Sequence, residues 1–287
     1  MSKVALVNVN DDIEPAVRRS VDLLGGLQIK SGMRVLIKPN VCNSKNPHGM
    51  VLTNFSIIES TIKMVRDRGC EPLIVESDNI AGTADNRIRD SGLKTKLDEW
   101  KVMFYNLSRD EFVLKPIAGI EIEIPRILLE TDYLINLAKI KTCSHTLVTL
   151  SIKNLFGCLK EAKKSRFHKK LDDILPYLAK TIRSDMNILD GMVCMEGNGP
   201  LVGNPKKLSV LVAGANPVSV DAFCSTIMGF NPKEIKHIAN AAALGVGTLD
   251  FEALGDPWKS MVCNFEKPFS IKATMKSLST IKDVYIS

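Results

Sequence analysis

The first ten residues, MSKVALVNVN, alternate in the manner of a strand, and Val4–Val9 reads as a first or edge strand. The period then changes. Ile13, Ala16, Val17, Val21 and Leu24 form one stripe of a helix over Asp11–Leu24, which Gly25-Gly26 stops. Met33–Ile37 is a short apolar strand broken by Lys38-Pro39-Asn40, and a polar loop runs on to Thr53. Ile57, Ile58, Ile62 and Val65 recur at helical spacing from about Asn54 until Gly69, and Pro72–Val75 is the next strand, with Glu76-Ser77-Asp78 at its carboxyl end. This β-α-β-α-β order predicts an α/β fold, a mostly parallel sheet flanked by helices.

Downstream, short helices are expected from Ala81 to about Leu97, and strands at Val102–Tyr105, Phe112–Lys115 and Ile120–Ile124, the last two joined as a hairpin across Ala118-Gly119. Asp132–Leu137, Met186–Leu189 and Leu208–Val212 read as core strands. Asn216-Pro217 and Asn231-Pro232 each pair a good N-cap with a proline suited to the first helical turn, the second helix running to Leu244. The pattern admits one domain over residues 1–287 or two α/β lobes meeting near 106–125. Ligands of open α/β sheets sit beyond the carboxyl ends of the strands. That rule gathers the segments 38–53, 76–82, 139–157 and 190–203 at one edge.

Composition adds limits. Of 287 residues, 45% are hydrophobic and 24% charged, enough for a large core, and no apolar run reaches the ~18–20 residues of a membrane helix. Neither a signal peptide nor a membrane segment is expected. The seven cysteines are scattered without a CxxC pair, so the expectation is a reduced cytoplasmic protein with no disulfide framework, zinc ribbon or iron–sulfur cluster in this chain. Charge is more telling. Residues 153–170 hold Lys153, Lys160, Lys163, Lys164, Arg166, Lys169 and Lys170 against Glu161, so this segment carries the whole net charge of +6. Such a concentration points to an anionic ligand or partner, a solvated helix face being the plain alternative.

The densest chemistry follows the strand 132–137. Lys139, Lys141, Cys143, His145, Lys153 and His168 lie there with hydroxyls that include Thr149, and with Asn154. Lys139 and Lys141 alternate like a strand end, and Ser144 or Thr146 can cap a helix whose amino end attracts an anion. A partly desolvated lysine beside other cations can serve as base or nucleophile, and Lys153, in an otherwise small and apolar stretch, is the strongest candidate. Cys143, His145 and His168 together suit a divalent metal, or else proton transfer. His237 falls in a helix, where a surface or packing role is expected rather than ligation. Lys38, Asn40, Lys139, Lys141, Thr149 and Asn154 are candidate substrate contacts. So are Asp190, Glu196, Gly197 and Asn198 of the glycine-bearing run NILDGMVCMEGNGPLVGNP, which otherwise reads as a long structural turn. Asp221, early in the helix after Asn216-Pro217, meets the lysines or complements the helix dipole.

The stretches VLIKPNVC, INLAKIKT, TLVTLSIKNLFGC, LDGMVCMEGNGPLVGNP and AGANPVSVDAFCSTIMGFNP resemble the domain-of-unknown-function family numbered three hundred and sixty-two, from about residue 30 to about residue 255. Fused members of that family carry a ferredoxin-like cysteine module that this sequence lacks. A more distant resemblance is to the lactate racemase family, a two-lobed α/β fold in which a histidine, a lysine and a later histidine surround a nickel-pincer nucleotide. That resemblance implies that Lys153 takes the place of the cofactor-holding lysine. His168 falls one residue from the later histidine, and Cys143 stands at the first histidine's place with His145 two residues on.

The favoured reading is an enzyme acting on a small anionic, carboxylate-bearing metabolite, with isomerase or oxidoreductase chemistry and a nickel-pincer nucleotide or other divalent metal as candidate cofactor. Lys153, His145, Cys143 and His168 are its candidate catalytic residues. The alternative is a noncatalytic module that binds an anion, a nucleotide or a redox protein through residues 153–170. Nucleic acid is disfavoured, since only Phe156 and Phe167 interleave with the cations and no nucleic-acid-binding motif is present.

Overall fold

Nine strands form one mixed sheet among the residues described in a computed structural model, which are 1–271, 273–274 and 280–281. In chain order the elements are β1 (Ser2–Asn8), α1 (Ile13–Asp22), β2 (Val35–Pro39), α2 (Phe55–Arg66), β3 (Pro72–Glu76), α3 (Ala84–Asp90), α4 (Leu93–Glu99), β4 (Phe104–Asn106), β5 (Phe112–Ile117), β6 (Ile120–Pro125), α5 (Arg126–Glu130), β7 (Tyr133–Cys143), β8 (Leu147–Thr149), α6 (Ser151–Asn154), α7 (Leu171–Thr181), β9 (Met186–Glu196), β10 (Asn204–Gly214), α8 (Pro217–Ile227), α9 (Lys236–Ala243) and β11 (Phe251–Gly255). The sheet runs β11-β1-β10-β9-β7-β2-β3-β4, with β8 folded back on β7. Pairing is parallel from β9 through β7, β2 and β3 to β4, as the alternating elements predict, and antiparallel at β9–β10 and β10–β1.

Alternate residues of each strand serve opposite faces. Leu36 and Leu134 join a core with Ile174, Phe223 and Ile238, from α7, α8 and α9. Val35, Ile37 and Ile135 join a second core with Val17 of α1 and Ile58 of α2. Asp12 and Asn54 cap α1 and α2 by accepting from Glu14 N and Ser56 N. The expected hairpin forms as a separate two-stranded sheet, β5–β6, turning at Ala118 and Gly119, where φ is 50° and 74°.

Three strands are longer than their apolar runs. The strand expected to stop at Leu137 continues to Cys143 with all eleven residues buried. Lys139 and Lys141 look like a strand end but are drawn in by partners. The strand expected at Met186–Leu189 reaches Glu196, and that at Leu208–Val212 starts at Asn204, so much of the glycine-bearing run is ladder. Gly191 lies where a Cβ would stand 2.7 Å from Val210 Cγ2 and 2.9 Å from its carbonyl oxygen, a steric reason for glycine. The helix expected from Asn231 instead begins at Lys236, after a separate turn of 3₁₀-helix at Pro232–Glu234.

Candidate functional site

Because β2, β3 and β7 run parallel, their carboxyl ends deliver Lys38, Glu76 and Lys141 to one edge of the sheet. The hairpin β7–β8 adds His145 and Thr149. The short α6 and the turn after it supply Lys153, Asn154, Phe156 and Gly157, and the 3₁₀ segment Lys164–Lys170 supplies Lys164 and His168. Together they line a cavity of about 300 Å³, which also touches Asn40, Cys42, Ser77, Pro200 and Leu201.

Neither Ser144 nor Thr146 caps α6. Asp221 of α8 does so from across the core, accepting from Ser151 N (2.8 Å), Ile152 N (3.0 Å) and the Ser151 hydroxyl. Asp221 is therefore neither a lysine partner nor a complement to its own helix. Its complete burial pushes its pKa up to about 7 despite the three donors. The anchor fixes the start of the segment that carries Lys153.

At the cavity's inner end Lys38 and Glu76 form a buried ion pair at 2.9 Å. Lys38 also donates to Pro39 O, and Glu76 accepts from Val41 N (3.3 Å) and Ser77 N (3.0 Å). Gly157 passes directly over this pair. A Cβ there would stand 2.9 Å from Lys38 Nζ and 3.0 Å from Glu76 Oε1, so the backbone of the basic segment closes on the pair only through a glycine. Lys164 is buried beside it, donating to Ser77 Oγ (2.8 Å) and to Asp78 O. Burial is the main cause that lowers its pKa to about 8. Lys141, also buried, donates to Val51 O at 3.0 Å and lies 3.4 Å from Asn40 Oδ1 and 3.5 Å from Cys42 Sγ. Burial, reinforced by Lys139 and Lys153, depresses its pKa as well.

A further wall is aromatic. The rings of His145 and His168 lie 4.2 Å apart between centroids, Phe156 is 6.4 Å from His168, and the Lys153 ammonium sits 5.7 Å from the Phe156 ring. Burial, with His145 and Lys153 nearby, lowers the pKa of His168. Cys143 packs behind this wall, fully buried and outside the cavity lining. Burial alone would raise its thiol, but the Lys153 charge and hydrogen bonds to His145 and Thr146 outweigh it and bring the pKa to about 5. The four candidate catalytic residues thus converge. Yet among the described residues no group of three or more His, Cys, Asp or Glu side chains is arranged to hold a metal ion. Cys143, His145 and His168 do not make a metal-ligand set.

Of the candidate substrate contacts, Lys38, Asn40, Lys141, Thr149 and Asn154 line the cavity. Lys139 and Asp190 do not. They form an ion pair of 2.7 Å with neither side chain exposed, and Asp190 also accepts from Asn54 N (2.8 Å) and Met192 N (2.9 Å). Glu196 turns away to Lys206 (2.9 Å) and Glu266 N (3.2 Å), Asn198 accepts from Phe269 N (2.7 Å), and Gly197 N donates to Glu266 O. Of the basic run, only Lys153 and Lys164 enter the cavity, and Lys163, Lys169 and Lys170 are exposed. Sequence reasoning missed Glu76, Ser77 and Lys164. The first two were signalled by a polar triplet at a strand's carboxyl end. Lys164 had no mark to separate it from its basic neighbours. Of the two roles open to His237, surface or packing, the structure gives packing: the residue is fully buried, and burial, its main perturbation, takes its pKa to about 3.

A mixed α/β sheet with a lysine-lined cavity at the carboxyl ends of its parallel strands defines the class of protein. The family described as domain of unknown function (DUF362) matches residues 35–226, and the chain belongs to that family. It is 26% identical to the thylakoid-associated protein sll1697 of Synechocystis sp. over 94% of this chain and 89% of that one. Among solved structures, a protein from Thermotoga maritima is similar at a TM-score of 0.41 and 10% identity, covering 76% of this chain and 60% of that one. The lactate racemase apoprotein from Thermoanaerobacterium thermosaccharolyticum is similar at a TM-score of 0.40 and 12% identity, covering 85% and 57%. The chain thus spans less than two thirds of either solved protein. No helix among the described residues is long and apolar enough to cross a membrane.

Proposed function

We propose that the chain is an enzyme that binds a small carboxylate in this cavity and moves a proton at the carbon beside it, an isomerase-type reaction. One observation carries the reading: among the described residues four lysines and a single carboxylate line the cavity, with two imidazoles in close, tilted contact on its wall. Lys153 holds the carboxylate and stabilises the charge that develops on it when the neighbouring proton leaves. His168, kept neutral at pH 7 by burial and its cationic neighbours, accepts that proton. His145, its ring tilted against that of His168 and backed by the Cys143 thiolate, takes it on and returns it. Thr149, whose buried hydroxyl has no hydrogen-bond partner among the described residues, and Asn154 orient the bound group. A cytoplasmic location is part of the same proposal, supported by seven cysteines that are all unbridged.

Hydrogen exchange at the carbon beside the carboxylate of small 2-hydroxy acids in D₂O, followed by proton NMR, tests the reading. Wild type is expected to wash in deuterium for at least one of them. His168→Asn should lower the exchange by about 10²–10⁴-fold without loss of binding. Lys153→Met should abolish binding with its circular dichroism unchanged. Failure of the wild type to bind any small carboxylate, or unimpaired exchange by Lys153→Met, would overturn it.

A further inference from the structure

The balance of charge around the cavity sets the valence of the ligand. Glu76, the one acidic residue of the lining among the described residues, has both oxygens engaged: Oε2 by Lys38 and Val41 N, Oε1 by Ser77 N. The Asp78 carboxylate faces away, accepting from Ala84 N (2.7 Å) and Asn106 Nδ2 (2.9 Å), and only its carbonyl meets Lys164. Lys139 is neutralised by Asp190 outside the lining. Lys141, Lys153 and Lys164 remain, and among the described residues none of the three is in an ion pair. Their contacts are hydroxyl, amide, thiol, carbonyl and ring groups. Lys141 and Lys164 are buried and Lys153 is half-buried, and with the Cys143 thiolate already near Lys153, a monoanion held there would leave the charge at Lys164 uncompensated.

The cations are also divided between two ends. Lys153 stands at the histidine and Phe156 wall. Lys164 stands by Ser77, next to the Lys38–Glu76 pair. The volume of about 300 Å³ is that of about ten waters, roomier than a three-carbon acid requires. Arg87, the guanidinium behind this end, donates to the carbonyls of Val41, Gly82 and Ser77, so the fork geometry favoured for phosphate is already committed.

We propose that the ligand is a small dicarboxylate, one carboxylate held by Lys153 beside the histidines and the second by Lys164 and Ser77 at the far end, which makes Lys164 the residue that selects a dianion. This rests on the carboxylate-site reading above and names its substrate class. Isothermal titration calorimetry of the full chain with succinate, malate, glutarate and 2-oxoglutarate, against butyrate, lactate, pentanoate and inorganic phosphate, tests it. Wild type should bind at least one dicarboxylate about tenfold or more tighter than its monocarboxylate counterpart. Lys164→Met should erase that preference, lowering dicarboxylate affinity about tenfold more than monocarboxylate affinity, and Lys164→Arg should retain most of it. Equal affinity of wild type for both classes, an equal loss of both in Lys164→Met, or tighter binding of phosphate than of any dicarboxylate would overturn the dicarboxylate inference while leaving an anion site. Binding of no carboxylate at all would overturn both.

Discussion

Asp221 shows how much one buried residue can set. Its carboxylate holds the amino end of a four-residue helix, and its pKa rises from 3.8 to about 7 on folding because burial outweighs three donated hydrogen bonds. The folded state therefore binds this proton more tightly than the unfolded one. The stability cost is absent below the unfolded value, grows between about pH 4 and pH 7, and is complete above. Urea unfolding of wild type and Asp221→Asn should reveal it: the stability of wild type relative to the variant falls by a few kcal/mol between pH 5 and pH 8. A constant difference across that range would show that the carboxylate does not titrate in folding. At this scale the sequence was legible in residue types, not in their aim. Lys153, His145 and His168 stood out by chemistry and do meet. Asp221 and Glu196 stood out equally, and each is spent on a backbone or an ion pair elsewhere. Nothing local distinguishes a carboxylate that will face a cavity from one that will cap a helix 70 residues away.

Elements reach the cavity because β7 runs six residues beyond its apolar core, and partners on other elements make that extension tolerable. Lys139 is paired with Asp190 on β9, which also accepts from Asn54 N at the start of α2. One carboxylate thus links two strands and a helix. Removing it by Asp190→Ala leaves a buried ammonium unpaired and should cost about 3–5 kcal/mol in urea unfolding, whereas Lys139→Met with Asp190→Leu should cost much less. Similar losses in the single and double variants would refute a pairwise role. Periodicity located these strands correctly and ended β7, β9 and β10 short, because lysine, glycine and asparagine read as boundaries until a neighbouring strand supplies a counterion or a contact that no larger residue could make. The β5–β6 hairpin, by contrast, was legible to within two residues at its strand ends, since its alternation and its Ala-Gly turn are local.

At the level of the molecule, two apolar cores on opposite faces enclose β7, whose eleven residues are all buried between β2 and β9. Its amides are expected to exchange with solvent only through global unfolding, while β11, paired on one side to β1, exchanges earlier. Native-state hydrogen exchange checks this, and equal rates in β7 and β11 would contradict it. The same central position makes the carboxyl end of β7 the floor of the cavity, with β2 and β3 alongside. The α/β class, the parallel core and the crowding of polar segments at one sheet edge were set by the sequence itself, because helix and strand periods and the order of elements are properties of neighbouring residues. Which lysines are neutralised and which are left to face a ligand was decided by tertiary structure alone, because a counterion is chosen by distance in space, and Asp190, Glu76 and Asp221 find their partners only when remote strands and helices meet.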